Sequence, residues 1–158
     1  MAYSHNSQDL HIVPGLAPVD IAAATTTSDI IDAGDCQHVQ FLMYFGALDV
    51  DGVVNVYECT TAAGASADAI TDFTYRFSAA TGTDLMGAVT AGALNVAVVD
   101  GTHDGTILVI DIEPMKLTQD HPYVYCEYNP TLGAANLLAI IALVTPRYSQ
   151  AIVPSVVD

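Results

Sequence analysis

Two stretches bring carboxylates close to sharp glycine turns, Asp49-Val50-Asp51-Gly52 and Asp100-Gly101-Thr102-His103-Asp104-Gly105. A calcium loop needs more than density of charge: the EF-hand pattern places Gly at its sixth position and Glu at its twelfth. Counted from Asp49, those places hold Val54 and Thr60, and the second loop has no ligand spacing either. Both stretches read as solvated turns. The histidines, His5, His11, His38, His103 and His121, form no HxH or HExxH pair, so no metal site is indicated.

Covalent catalysis asks for a nucleophile beside a base. Cys36 and His38 stand at i and i+2, which would share one face of a strand, but no third group is placed to orient the imidazole. The sequence has no GxSxG elbow, P-loop or GxGxxG fingerprint. Eighteen acidic residues supply carboxylate pairs anywhere, so a glycosidase pair has no specific support. Cys36, Cys59 and Cys126 are odd in number and lack CxxC spacing, and they read as buried thiols. The expectation is a non-enzymatic protein without cofactor, catalytic residue or metal.

Three cations, Arg76, Lys116 and Arg147, stand against eighteen carboxylates in 158 residues, a formal charge of −15. Cations so few and scattered form no basic stripe, which argues against nucleic acid and against an anionic membrane surface. Hydrophobic content of 52% separates the chain from disordered acidic polypeptides, so it should fold. Met1-Ala-Tyr-Ser-His-Asn shows no secretory pattern, and the longest apolar run, Leu137 to Val144, is well short of the ~20 residues of a spanning helix. Synthesis in a cytoplasm is expected.

The acids are mostly Asp, a turn former, and Gly, Thr and Ala separate short runs of Val, Ile, Tyr and Phe. In Ile70 to Phe77, Phe73, Tyr75 and Phe77 alternate with polar residues at the period of a strand. His38 to Phe45 and Val53 to Thr60 flank an Asp-Gly turn, which predicts a hairpin over residues 38–60. Leu94 to Val99 and Thr106 to Ile112 flank a second such turn and predict another. Tyr123 to Tyr128 is a strand whose three tyrosines fit a core or an oligomer seam better than a sugar platform. The unbroken apolar run from Leu137 predicts a central strand covered on both faces, and Pro114 to Asp120 offers one helical turn.

About eight strands punctuated by Gly, Pro and Asp predict an all-β fold, a β-sandwich or jelly-roll-like domain over residues 26–146. Residues 1–25 read as an N-terminal arm and 147–158 as a C-terminal tail. Leu10, Ile12, Val13 and Leu16 in the arm, with Ile152, Val153, Val156 and Val157 in the tail, are isolated apolar anchors suited to docking onto another chain. Removal of residues 1–18 is expected to leave a folded domain that no longer binds its partner.

The opening "MAYSHNSQDLHIVPGLAPVDI", the strands "HVQFLMYFG" and "VYECT", the segment "ILVIDIEPMKL" with "HPYVYCEY", and the close "ALVTPRY" resemble small tailed-phage virion proteins, in particular capsid decoration or cement proteins. The resemblance covers order and character along most of the chain and carries no contact residue. It implies a structural protein on the capsid exterior, a homo-oligomer, commonly a trimer, whose arms reach the major capsid protein. Alternative readings are a head–tail connector or tail component, or a sandwich that binds a receptor or glycan through loops such as Asp100 to Gly105.

Overall fold

The computed structural model describes residues 10–21, 24–131 and 135–147. Short runs of β-branched and aromatic residues form β1 (His11–Asp20), β2 (Thr26–Thr27), β3 (Ile31–Asp32), β4 (Cys36–Leu48), β5 (Gly52–Cys59), β6 (Asp68–Ala69) and β7 (Thr74–Phe77). They continue through β8 (Thr90–Ala91), β9 (Val96–Val98), β10 (Ile107–Ile112), β11 (Tyr123–Pro130) and β12 (Asn136–Pro146). Pro114–Lys116 form one 3-10 turn, the only part of the predicted helical stretch that is helical.

One sheet runs β1-β12-β4-β10-β7-β8, the other β2-β11-β5-β6, with β3 also on β11 and β9 also on β5. The two antiparallel sheets pack as the expected β-sandwich. Period-two alternation decides what lies between them. Val39, Phe41, Met43 and Phe45 of β4, with Leu108 and Ile110 of β10, meet Val54 and Val56 of β5 and Val124 and Tyr128 of β11, all without exposure above 0%.

Neither predicted hairpin forms. β4 pairs with β10 and β12, whereas β5 pairs with β11, β6 and β9, so the Asp49–Asp51 turn carries the chain from one sheet to the other. β9 and β10 are likewise divided between the sheets. An Asp-Gly turn reverses the chain equally well within a sheet or between two. Here the inward Val39, Phe41, Met43 and Phe45 of β4 and Val54 and Val56 of β5 face each other, and crossing over lets them bury one another.

The N-terminal boundary is also corrected. His11–Asp20 is the edge strand of the first sheet, paired along its length with β12, rather than an arm outside the domain. Val13 is 4% exposed and Leu16 packs against the core. Alternation with the outward Ile12 and Pro14 is what the scattered apolar residues of this segment express. β12 itself is covered on one face only: Leu138, Ile140, Ala142 and Val144 point inward, while Leu137 and Ile141 remain 48% and 43% exposed.

A polar tie joins the sheets within the core. Asn136 of β12, fully buried, donates from Nδ2 to Tyr128 Oη of β11 at 3.3 Å, and its Oδ1 accepts from the Asp49 N–H at 3.0 Å. Burial, with Asp51 nearby, pushes the Tyr128 phenol up to about 12, so it stays a neutral acceptor here. Gly52 lies directly beneath that ring, where an added Cβ would stand 2.6 Å from Cε2 and Cζ.

Because Tyr128 is fully enclosed, Gly52→Ala is expected to destabilise the fold by ~1–3 kcal/mol, as overpacking does, read as a lower urea midpoint with an unchanged m-value. Deletion of residues 1–18 removes β1 and bares the β12 edge. It should lower the melting temperature sharply, whereas deletion of residues 1–9 leaves the strand pairing intact and should not.

Candidate functional site

The residues with chemical potential are placed one by one by the strand register. A shift in pairing between Thr145 and Pro146 opposite His38 and Cys36 breaks the alternation at the start of β4. Cys36 therefore turns into the core, fully buried, while His38 faces outward with Nε2 3.4 Å from Asp111. The i, i+2 pair does not share a face. Burial, then Asp32 and Asp35, push the Cys36 thiol up to about 11; burial also raises Cys59 and Cys126, and all three cysteines are buried and free. Such thiols are poor nucleophiles.

The two acidic loops use their polar groups on each other. Asp51 Oδ1 accepts from the Asp100 N–H at 2.8 Å, Asp104 Oδ1 from the Leu48 N–H at 3.1 Å, and His103 Nδ1 from the Val99 N–H at 2.8 Å. His103 also stacks on Phe77, ring centroids 3.9 Å apart. These loops staple the sheet crossings and offer little to a ligand. Among the described residues no three His, Cys, Asp or Glu side chains are arranged to hold a metal ion.

A further polar group surrounds His121. Glu58, at the inner end of β5, accepts from the Thr118 N–H at 2.8 Å, and the His121 ring lies 3.9 Å from both Glu58 and Asp68. A hollow of about 350 Å³ opens beside it, lined by Ala33, Gly34, Pro114, Leu117 and Gln119 among others. Thr118, Asp120 and His121 also line it, and among the described residues no cysteine or serine does.

The outer faces differ from one another. On the second sheet Tyr57 and Tyr125 stack across the strands, centroids 5.2 Å apart, beside Glu127 and Asn55. Burial and Glu127 raise the Tyr57 phenol. On the first sheet the outer face of β1, β12 and β4 exposes Ile12, Tyr44 and Ile141, with the polar His38 and Gln40 towards the start of β4. Of the predicted anchors, Val13 and Leu16 serve the core of their own domain, and Leu10 and Ile12 lie at the start of β1. Ile152, Val153, Val156 and Val157 lie outside the described residues.

Register also sets the two poles of the sandwich. His11 pairs with Val144, and the Arg147 N–H donates to the Asp35 carbonyl at 2.9 Å, so the described chain begins and ends at one pole. Lys116 is there too, bridged to Asp72 at 3.2 Å and Glu113 at 3.4 Å. The Asp111 carboxylate at this end accepts from Gln40 at 2.6 Å. At the opposite pole Asp20, Asp49, Asp51, Asp100 and Asp104 gather around the sheet crossings with no Lys or Arg among the described residues.

The sequence matches no protein-family model and no curated protein. Among solved structures, the crystal structure of the SPBc2 prophage-derived protein YomS is similar over 86% of this chain and 92% of that one, at a TM-score of 0.44 and 10% identity. It assigns no role to any residue here.

The loop staple has a pH signature. Burial lowers the pKa of His103 below its ordinary value, and protonated Nδ1 could no longer accept from the Val99 N–H. Its contribution to stability is full above the unfolded-state value near 6.5 and is lost as pH falls through the lowered folded-state value. The fall in melting temperature between about pH 7.5 and pH 5 should be smaller in His103→Gln than in wild type; equal falls would show that the imidazole plays no part.

Proposed function

We propose that this protein is a structural virion protein of a tailed phage that decorates and stabilises the head by binding the outer surface of the major capsid protein shell. The observation that carries this reading is that the described chain begins and ends at one pole of the domain. Leu10 and Arg147 both stand at the pole that holds Lys116, and carboxylates are found at both poles. A subunit so built can present both terminal segments to one surface and leave the pole of Asp49, Asp51 and Asp100 to solvent. The tail sequence, with Ile152, Val153 and Val156, is nearly free of charge and suited to a seam in that shell. An acidic outer pole would keep densely decorated particles apart. The resemblance to cement proteins agrees with this placement, and a homo-oligomer on the shell, a trimer on that resemblance, belongs to the same proposal.

The glycan- or receptor-binding alternative now rests on Tyr57 and Tyr125 rather than on the Asp100–Gly105 loop, whose polar groups are occupied internally. A glycan array probed with the isolated protein separates the two readings.

Virions of a phage carrying this coding sequence should contain the protein in many copies on the outside of the head, visible by cryo-electron microscopy. A chain truncated after Arg147 keeps every described strand and should remain folded yet show at least a tenfold loss of shell occupancy, corresponding to about 1.4 kcal/mol. Location in the tail would overturn the decoration role; undiminished occupancy of the truncated chain would overturn the role of the tail anchors.

A further inference from the structure

Four of the ten large hydrophobic side chains exposed in the described residues fall on a single surface, the outer face of β1, β12 and β4, Ile12 at 59%, Tyr44 at 51%, Leu137 at 48% and Ile141 at 43%, and Val19 at 38% lines the groove beside them. Contiguous apolar surface of this kind on a soluble protein often serves an interaction. Strand register makes the patch continuous. Pro14 lies opposite Ile141, Ile141 opposite Leu42, and Ala139 opposite Tyr44. We propose that this face packs against the same face of a second copy of the chain.

Charge chooses the occupant. Each copy carries −15, so two copies repel wherever carboxylates meet. No outward residue of β12 or β4 is a carboxylate, and the carboxylates of this side stand at its margins, Asp20 opposite Leu137 and Asp111 of β10 opposite Gln40, whereas on the second sheet Glu127 lies on the outer face itself beside the stacked tyrosines. The apolar face is thus the sheet surface through which two such acidic molecules can approach. A patch that meets itself needs no partner of opposite charge, which suits a chain with only three cations.

The form of the contact is constrained as well. Edge-to-edge pairing through β1 is obstructed by Pro14 and Pro18, by register shifts at Pro14/Leu16 and Leu16/Val19, and by the Asp29 N–H, which already donates to the Gly15 carbonyl at 2.7 Å. Face-to-face packing remains. The surface has relief for it: a groove of about 290 Å³ runs over Gly46, walled by Val19, Tyr44 and Leu137, while Ile12 and Ile141 stand proud beyond it. Gly46 keeps the groove open, because a Cβ there would come within 2.7 Å of Leu137.

Sedimentation equilibrium of the full chain tests this without any capsid, so its outcome is independent of the decoration role. The expected result is a dimer, of twice the 16.6 kDa chain mass, whose association strengthens with added salt as repulsion is screened, and a trimer without a dimer would overturn the same-face contact. Ile141→Glu and, separately, Tyr44→Glu should each weaken association at least tenfold with little change in the melting curve, while Tyr125→Ala on the other sheet should not. A wild-type monomer up to about 1 mM, or association unchanged in both Glu variants, overturns the proposal. A monomer whose Glu variants lose shell binding would assign the face to the capsid instead.

Discussion

Phe41, Met43 and Phe45 from one sheet share an interior with Val54, Val56 and Tyr128 from the other, and closing that interior constrains the rest of the chain. Phe45 and Tyr128 meet at the centre with ring centroids 5.6 Å apart. The phenol of that same tyrosine must be satisfied away from water, which Asn136 does from the opposite sheet. A hydrophobic contact and a hydrogen bond therefore fix the same spacing between the sheets. Gly52 follows from this spacing, since no side chain fits beneath the ring.

The crossings at the acidic pole follow from it too. For two inner faces to meet, the chain must pass repeatedly from one sheet to the other, and each passage leaves backbone N–H groups without ladder partners. Asp51 and Asp104 accept those of Asp100 and Leu48, so part of the negative charge of this pole is structural. The outward residues of β4 and β12 carry none of these carboxylates, and Asp20 of β1 stands at the margin of that face, opposite Leu137. In a molecule of this net charge, contacts with other molecules are favoured where the carboxylates are not. The apolar centre of that sheet face answers the condition.

Alternation was legible in the sequence wherever one strand could be judged alone. Phe41, Met43 and Phe45 are inward as their spacing predicts, and Phe73 is buried beside the more exposed β7. Pairing between strands was not legible. Asp49-Val50-Asp51-Gly52 has the composition of a hairpin turn, and only the partners of β5, which lie as far along the chain as β11, show that it is a crossing. Leu10 to Leu16 misled for a related reason. Val13 and Leu16 have the spacing of anchors on a foreign surface, and that surface is β12, more than a hundred residues further along the same chain.

By itself, then, the sequence determined the all-β class, the inward residues of the long strands and the buried cysteines. Each is a property of composition or of spacing over a few residues, which local sterics and solvation decide. Tertiary structure alone decided that β1 belongs to the domain, that Cys36 and His38 part company, and that β12 is bare on one side. These depend on which distant strand supplies the missing hydrogen bonds and covers the apolar face. Such pairing is selected by closure of the whole interior, and no single segment carries it.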